Sequence, residues 1–192
     1  MTAMHERTQV PISKRWAPVA ARSRVSVSIL LALAAAWLAQ PTAANLALGL
    51  PLVLIGLAVR AWAAGHLRKN QQLATSGPYA YVRNPLYIGS LLAGVGFGIC
   101  SAHAILLCAI LVVFTVWFLP VVGEEEGHIR NILPGYREYE ARVPRFLPAL
   151  RPRYESSQCF EWSLYLANRE YSALLGFVGF GAVLWYKLQA LG

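Results

Sequence analysis

The sequence predicts an all-α integral-membrane protein with about five transmembrane helices, a polar loop on the cytoplasmic side and a C-terminal helical segment. Of its 192 residues, 57% are hydrophobic and only 14% are charged, whereas a soluble domain carries about a quarter charged residues. Five apolar segments approach the length needed to cross a bilayer; they lie at 25–39, 45–66, 86–100, 104–122 and 171–188. We interpret residues 1–192 as a single domain.

The first apolar segment follows a polar, basic stretch over residues 1–24. A basic start, an apolar core and the small residues Ala43 and Ala44 would also suit a cleaved signal peptide. We favour a membrane helix, because the second segment needs a partner inside the bilayer. The connector 40–42 is short and uncharged, so we expect the first two segments to form a helical hairpin.

The distribution of basic residues predicts the orientation. The formal charge of +8 could indicate a nucleic-acid partner, but the basic residues flank apolar segments, which is the pattern of topology signals and of contacts with anionic lipids. We therefore expect no nucleic-acid binding. Of 17 Lys and Arg residues, only Lys187 falls on the far side, and Arg60 lies within the second segment. The positive-inside rule then predicts a cytoplasmic N-terminus and an external C-terminus, in an inner membrane of bacterial type.

Small residues and turn signals complete the predicted helices. Gly94 and Gly98 are four apart and are expected to allow a close backbone approach to a neighbouring helix; Gly176 and Gly179 are predicted packing residues in the last segment. The fourth helix is expected to continue into the cytoplasm as far as Pro134-Gly135, with a short helix over 136–142. The three cysteines lack metal-ligand spacing, so neither a metal site nor a disulfide is predicted.

The longest polar interruption, residues 71–87, is predicted to be a shaped loop at the membrane surface. Pro78 and Pro85 fix their own φ angles and bias Gly77 and Asn84 away from helix. Apolar helices on both sides would hold the loop in place. Binding groups are often carried on such loops.

Two motif blocks flank the third and fourth segments. The first is L-x-T-x-G-x-Y at 73–79 with R-N-P-x-Y at 83–87; the second is E-E-x-x-I at 125–129, Y-x-x-Y at 136–139 and V-P at 143–144. Together they resemble the membrane methyltransferases typified by isoprenylcysteine carboxyl methyltransferase, and phospholipid N-methyltransferases share related motifs. The resemblance covers residues 65–148 and implies that they form the catalytic region, with the cofactor bound at the loop.

The resemblance implies S-adenosylmethionine as cofactor and an amphipathic or lipid-like acceptor, methylated on a carboxylate or an amine. It implies that Arg83 and Glu126 are catalytic. The cofactor-binding residues that it implies are Gln71, Gln72, Leu73, Ala74, Gly77, Tyr79, Asn84, Pro85, Leu86, Tyr87 and Glu125. A carboxylate such as that of Glu125 can accept two hydrogen bonds from a ribose diol.

Two departures from the family pattern concern the chemistry. Asn84 stands where the family usually has His, and an amide can form hydrogen bonds but cannot titrate near neutral pH. Val121 occupies the position of a substrate-binding arginine in the isoprenylcysteine enzymes. We therefore expect Arg60, near the end of the second segment, to bind an anionic group of the acceptor; with Trp62 and His66 it would line the mouth of the site. The simpler interpretation is that Arg60 snorkels to the membrane surface.

Two other functions remain open at this point. Sterol reductases share a related membrane core and bind a nicotinamide cofactor, although Gly77-Pro78-Tyr79 and Arg83-Asn84-Pro85 fit the methyltransferases better. The chain could also be a non-enzymatic membrane protein that retains the fold. Cofactor binding would distinguish these possibilities.

Overall fold

The computed structural model describes residues 12–154 and 158–191. The basic stretch 1–24 is covered from residue 12, and its first eleven residues lie outside the described part. The prediction of an all-α protein is confirmed: the described residues contain no β-strand. The helices are α1 (Ile12–Leu38), α2 (Ala43–Ala64), α3 (Pro85–Cys100), α4 (Ala104–Val113), α5 (Leu119–Ile132), α6 (Tyr136–Arg142), α7 (Trp162–Ala167) and α8 (Tyr171–Leu191).

Three helices in the described part are long and apolar enough to cross a membrane: Ala43–Ala64, Ala104–Ile132 and Tyr171–Ala190. Two shorter apolar helices, Val25–Leu38 and Pro85–Cys100, accompany them. These five match the five apolar segments in the sequence. That all five cross the membrane stays a prediction.

Helices α2 and α3 pack through glycines on facing surfaces. A Cβ atom on Gly56 would lie 2.5 Å from the carbonyl oxygen of Gly89, and one on Gly96 would lie 2.7 Å from the carbonyl oxygen of Gly49. These four glycines, rather than the predicted Gly94, let the two backbones touch.

The other predicted packing glycines behave differently. Gly94 and Gly98 face side chains of α4, where an added Cβ would meet Ile110 at 3.1 Å and Leu107 at 2.8 Å. Gly94 therefore packs against a side chain, whereas a Cβ on Gly98 would also lie 3.2 Å from the Leu107 Cα atom, the close backbone approach to a neighbouring helix that was predicted. Gly176 and Gly179 have no described atom within 4 Å of an added Cβ. The packing role predicted for them is wrong within the described structure.

Helices α4 and α5 form one continuous helix, Ala104–Ile132, through a π-helical turn at Phe114–Phe118. Pro120 explains the turn. It has no N–H to donate to the carbonyl of Val116 one turn earlier, and its ring would collide with that carbonyl in a regular α-helix. The indole Nε1 of Trp16 on α1 donates to the freed oxygen at 2.9 Å. The expected continuation of the fourth helix beyond the apolar segment is confirmed, and it carries Glu124–Glu126 to the motif loop.

The two ends of the helix bundle differ in charge as the sequence predicts. At one end Lys187 Nζ donates to the carbonyl oxygens of Ala36, Trp37 and Ala39 at 2.6–2.9 Å, which satisfies the last turn of α1. Gln40 N also donates to Ser101 O at this end. Both motif blocks lie at the opposite end. Which end is cytoplasmic stays a prediction.

The segment that precedes α8 covers the end of α2. Asn168 Nδ2 donates to the carbonyl oxygens of Ala64 and Leu67 at 3.0 and 2.9 Å, capping that helix end. Arg68 forms an ion pair with Glu161. The segment thereby fixes the point where the chain leaves α2 and enters the motif loop.

Candidate functional site

A cavity of about 610 Å³ lies between the motif loop, α5 and α6. Both motif blocks line it, so the two blocks converge as expected. Its volume is within the range of about 300–1,000 Å³ that small-molecule sites occupy. It is called the motif cavity here. Its lining residues are Leu67, Arg68, Lys69, Asn70, Gln72, Leu73, Ala74, Tyr79, Arg83, Asn84, Pro85, Leu86, Tyr87, Glu124, Glu125, Glu126, His128, Ile129, Leu133, Tyr136 and Tyr139.

Gly77 gives the motif loop its shape. Its φ of +55° suits glycine, and an added Cβ would lie 2.6 Å from the His66 ring. His66 Nδ1 lies 2.8 Å from Ser76 Oγ in a buried hydrogen bond, and burial lowers the pKa of His66. A 3-10 helix, Gly77–Ala80, follows. The predicted shaped loop is therefore confirmed.

Tyr79 joins this loop to α6. Its side chain is buried, and its carbonyl oxygen accepts a hydrogen bond from Tyr139 Oη at 2.8 Å. Burial raises the pKa of both phenols. Burial also raises the pKa of Tyr136 to about 12. All three tyrosines are therefore neutral near pH 7 and can supply hydrogen bonds and apolar surface, but not charge.

Glu126 is the centre of a charge cluster in the wall of the motif cavity. Its side chain is 8% exposed. Asn84 Nδ2 donates to Oε1 at 2.7 Å, Arg83 Nη1 lies 3.7 Å from the same oxygen, and Arg145 Nε lies 3.1 Å from Oε2. The amide of Asn84 thus orients a carboxylate of the second motif block from a position in the first.

Arg83 connects this cluster to α6. Its Nη1 donates to Glu140 Oε2 at 3.4 Å, and Arg130 donates to both oxygens of the same carboxylate at 2.7 and 3.2 Å. The hydrogen bonds from Arg130 lower the pKa of Glu140. The Arg83 charge is therefore held by two carboxylates, and α5 and α6 are joined beside the cavity.

Most of the predicted site residues lie together. Arg83, Glu126 and Glu125 line the motif cavity, as do the predicted cofactor positions Gln72–Ala74, Tyr79 and Asn84–Tyr87. Gln71 and Gly77 do not line it; Gln71 is exposed, and Gly77 packs on His66. The roles assigned to all of these residues stay predictions. The sequence analysis missed Arg68, Lys69 and His128 as lining residues, although Arg68 and Lys69 directly precede the motif loop.

Comparison with known proteins agrees with this geometry. Residues 54–134, less than half of the chain, match the phospholipid methyltransferase family. This segment spans the end of α2, the motif loop, α3, α4 and α5, which together supply most of the motif cavity. The family resemblance predicted from the two motif blocks is confirmed.

Two curated relatives are similar to the chain over a longer range. The cobalt-zinc-cadmium resistance protein CzcN of Cupriavidus metallidurans is 30% identical over 142 residues, which are 71% of this chain and 62% of CzcN. The nickel-cobalt-cadmium resistance protein NccN of Alcaligenes xylosoxydans xylosoxydans is 35% identical over 113 residues, 57% of this chain and 52% of NccN. The chain therefore covers between half and two thirds of these relatives. No solved structure matches it.

The structure places Arg60 outside the motif cavity and gives it protein partners. Its Nε donates to Glu170 Oε1 at 2.5 Å, and its Nη1 donates to Ser90 Oγ and to the carbonyl oxygen of Leu86. It does not line the motif cavity. Trp62 and His66 do not line it either. Trp62 is 44% exposed and contacts Tyr81.

Arg60 instead lines a second cavity of about 470 Å³, formed between α1, α3, α4 and α8. This cavity, called the apolar cavity here, is lined mainly by hydrophobic side chains such as Leu31, Phe97, Ile110 and Phe177. Helix α3 contributes to both cavities, because Leu86 and Tyr87 line the motif cavity and Ser90 and Leu91 line the apolar cavity.

Among the described residues, no group of three or more His, Cys, Asp or Glu side chains is arranged to hold a metal ion.

Proposed function

We propose that the protein transfers a methyl group from S-adenosylmethionine to a carboxylate or amine on a lipid-like acceptor, at the cytoplasmic face of a bacterial inner membrane. The observation that carries this proposal is that both motif blocks line one cavity of about 610 Å³. Family membership supports methyl transfer, and the apolar cavity beside the first supports an acceptor with a long apolar part.

The residues of the motif cavity fit the cofactor. Glu124 and Glu125 would face its cationic or hydroxyl-bearing parts, and Arg68 and Lys69 would face its carboxylate. Leu73 and Ile129 provide apolar surface for the adenine ring. When bound, the cofactor supplies a methyl group on a positively charged sulfur.

The residues of this chain would position the reacting groups and keep water away from them. Transfer would join the acceptor lone pair to the methyl carbon and break the carbon–sulfur bond, so that the by-product would be a neutral thioether. An in-line displacement of this kind depends on alignment of the reacting groups. The Glu126 cluster would hold the wall of the cavity in place, with Arg83 and Asn84 fixed around the carboxylate. A carboxylate acceptor needs no base; an ammonium acceptor must first lose a proton.

Tyr87 and Phe118 lie where the two cavities approach each other. Tyr87 lines the motif cavity, Phe118 lines the apolar cavity, and their ring centroids are 6.1 Å apart. An acceptor with its chain in the apolar cavity would reach the methyl group past this aromatic pair.

The proposal is tested by binding and by turnover. Titration calorimetry in detergent is expected to show binding of S-adenosylhomocysteine, and Glu125→Gln is expected to weaken it by about ten- to a hundredfold, the effect of one hydrogen bond to a charged group. Glu138→Gln is the matched control, because Glu138 pairs with Arg142 on the exposed surface of α6. Binding of NADPH in place of S-adenosylhomocysteine would favour the reductase alternative, and binding of neither would favour a non-enzymatic protein.

Transfer from radiolabelled S-adenosylmethionine into a total lipid extract would then identify the acceptor. Base-labile label in the product indicates a methyl ester, and stable label indicates an N-methyl group. No labelled lipid in the presence of bound cofactor would overturn the choice of acceptor.

The names of the two relatives suggest a physiological setting. Both are named as resistance proteins for metal ions that include cobalt and cadmium. We infer that methylation of a membrane component by this protein contributes to such tolerance. A strain that lacks the protein is expected to grow less well with cobalt or cadmium. A plasmid that encodes the Glu125→Gln variant is expected not to restore growth. Full restoration by that variant would separate the tolerance from methyl transfer.

A further inference from the structure

A segment without regular secondary structure, beside the motif loop, exposes two leucines and two arginines. It comprises residues 146–153 and is called the leucine–arginine loop here. Leu147 is 83% exposed and Leu150 is 100% exposed; Arg151 and Arg153 are exposed as well. None of these four residues is among the described residues that line the motif cavity or the apolar cavity.

The backbone of the leucine–arginine loop is bound to the motif loop. Ala149 N donates to the carbonyl oxygen of Tyr81 at 2.9 Å, and Arg153 N donates to that of Ala80 at 2.8 Å. The next residue, Tyr154, packs edge-on against a buried tyrosine of α6, with 5.6 Å between the ring centroids. The fold therefore holds the loop in place while its leucine and arginine side chains stay exposed.

The leucine–arginine loop lies near the end of a helix that can cross a membrane. Trp62, in the last turn of α2, is 44% exposed, and its ring centroid lies 6.5 Å from that of Tyr81. Helix α2 is long and apolar enough to cross a bilayer. Trp and Tyr are enriched where membrane helices meet water. Because Tyr81 also binds Ala149, we expect the loop at the boundary between lipid and water.

The side chains of the leucine–arginine loop match an anionic bilayer surface. Among the described residues, neither Arg151 nor Arg153 forms an ion pair, whereas Arg145, just before the loop, pairs with Glu126. Guanidinium groups bind phosphate well, and adjacent apolar side chains can enter the acyl boundary. A second copy of this chain fits less well, because its formal charge of +8 would add positive charge at this face.

We propose that the leucine–arginine loop docks on an anionic phospholipid surface. Leu147 and Leu150 enter the acyl region just below the headgroups, and Arg151 and Arg153 bind lipid phosphates. Through its two backbone hydrogen bonds, the docked loop holds the motif loop at the membrane surface. This proposal does not depend on methyl transfer, because it concerns a surface outside both cavities.

A spin label at position 150 reports docking in the full chain. Leu150→Cys is introduced into a protein whose exposed cysteines, Cys108 and Cys159, are replaced by alanine. The labelled protein is placed in nanodiscs of phosphatidylcholine, alone or mixed with phosphatidylglycerol. Access to oxygen and to a water-soluble nickel chelate distinguishes immersed label from water-exposed label, and the ratio of the two populations is the docking ratio. We expect this ratio to rise with the phosphatidylglycerol content.

Variants are compared at the phosphatidylglycerol content where the two populations are equal in the parent protein. Arg151→Gln and Arg153→Gln are each expected to lower the docking ratio by about fivefold, the effect of one basic residue at an anionic surface. Leu147→Gln is expected to lower it by about tenfold or more, because it removes an apolar side chain from the acyl region. Arg137→Gln removes the same charge from the exposed surface of α6 and is the matched control, with an expected change below about twofold.

A label that stays water-exposed in both kinds of nanodisc, or that is equally immersed in both, would overturn the proposal. So would equal docking ratios in the Arg151→Gln, Arg153→Gln and Arg137→Gln proteins. A short distance between labels on two chains, measured by double electron–electron resonance, would assign this face to a second copy and would also overturn it. These readouts need no cofactor, so failure of the proposed function would leave them interpretable.

Discussion

Replacing Glu126 by alanine is expected to destabilise the protein. The carboxylate is 8% exposed and faces Asn84, Arg83 and Arg145. Its loss leaves two guanidinium groups and an amide beside a gap. Removing one partner of a buried ion pair costs about 3–5 kcal/mol. The Arg145 side chain is 40% exposed, so water screens its attraction, and we expect a cost near the lower end, about 3 kcal/mol.

Thermal unfolding in detergent, followed by tryptophan fluorescence, measures this effect. A chain of this size loses about 2–4 °C in melting temperature per kcal/mol, so the variant is expected to melt about 6–12 °C below wild type. Glu126→Gln keeps an oxygen for Asn84 and should lose roughly half as much.

Glu125→Gln is the matched control in the same helix, with an expected shift below about 2 °C. A Glu126→Ala protein that melts within about 2 °C of wild type would refute the structural role of the cluster. Turnover of Glu126→Gln, assayed well below its melting temperature, then tests the predicted catalytic role separately.

Three further predictions concern packing, loop geometry and topology. Gly56→Ala is expected to lower the melting temperature, since its Cβ would lie 2.5 Å from a backbone oxygen of α3 and overpacking costs about 1–3 kcal/mol. Gly127→Ala is the control and should not lower it, because an added Cβ there has nothing described within 4 Å. Equal shifts in the two variants would contradict this packing. Pro85→Ala frees φ at the first residue of α3 and should reduce turnover with little change in melting temperature; unchanged turnover would remove the case for a preorganised loop. A reporter fused after residue 192 should behave as external, and a cytoplasmic signal would show that the predicted topology is wrong.

The sequence was sufficient to predict the five apolar helices and the meeting of the two motif blocks, but not that α1 begins at Ile12 within the basic stretch, nor the short helix α7. Apolar segments determine membrane helices almost directly, because an unpaired backbone is too costly in lipid. The short helix over 136–142 was predicted with its observed limits, since Gly135, at φ +82°, and the residues before Pro144 mark its ends. The π-helical turn was not predicted, although Pro120 inside a long apolar helix was a sufficient signal for a local irregularity.

The partners of buried charges could not be predicted in this way. Arg60 and Glu170 are 110 positions apart, and helical periodicity gives no information about which segment packs beside which. The same holds for Asn84 and Glu126, which are 42 positions apart. The sequence identified Arg60 as functional but not Glu170, and it identified both Asn84 and Glu126 without indicating that they are in contact; only the packing of the helices identified these contacts.

The pairing of charges also accounts for the valine at position 121. Val121 is 2% exposed. It is not among the described residues that line the motif cavity or the apolar cavity. An arginine there would need its own carboxylate, yet Glu126 already faces Arg83 and Arg145, and Glu170 already faces Arg60. Burying an added cation at this position would cost several kcal/mol of desolvation. The structure therefore favours an apolar residue at position 121.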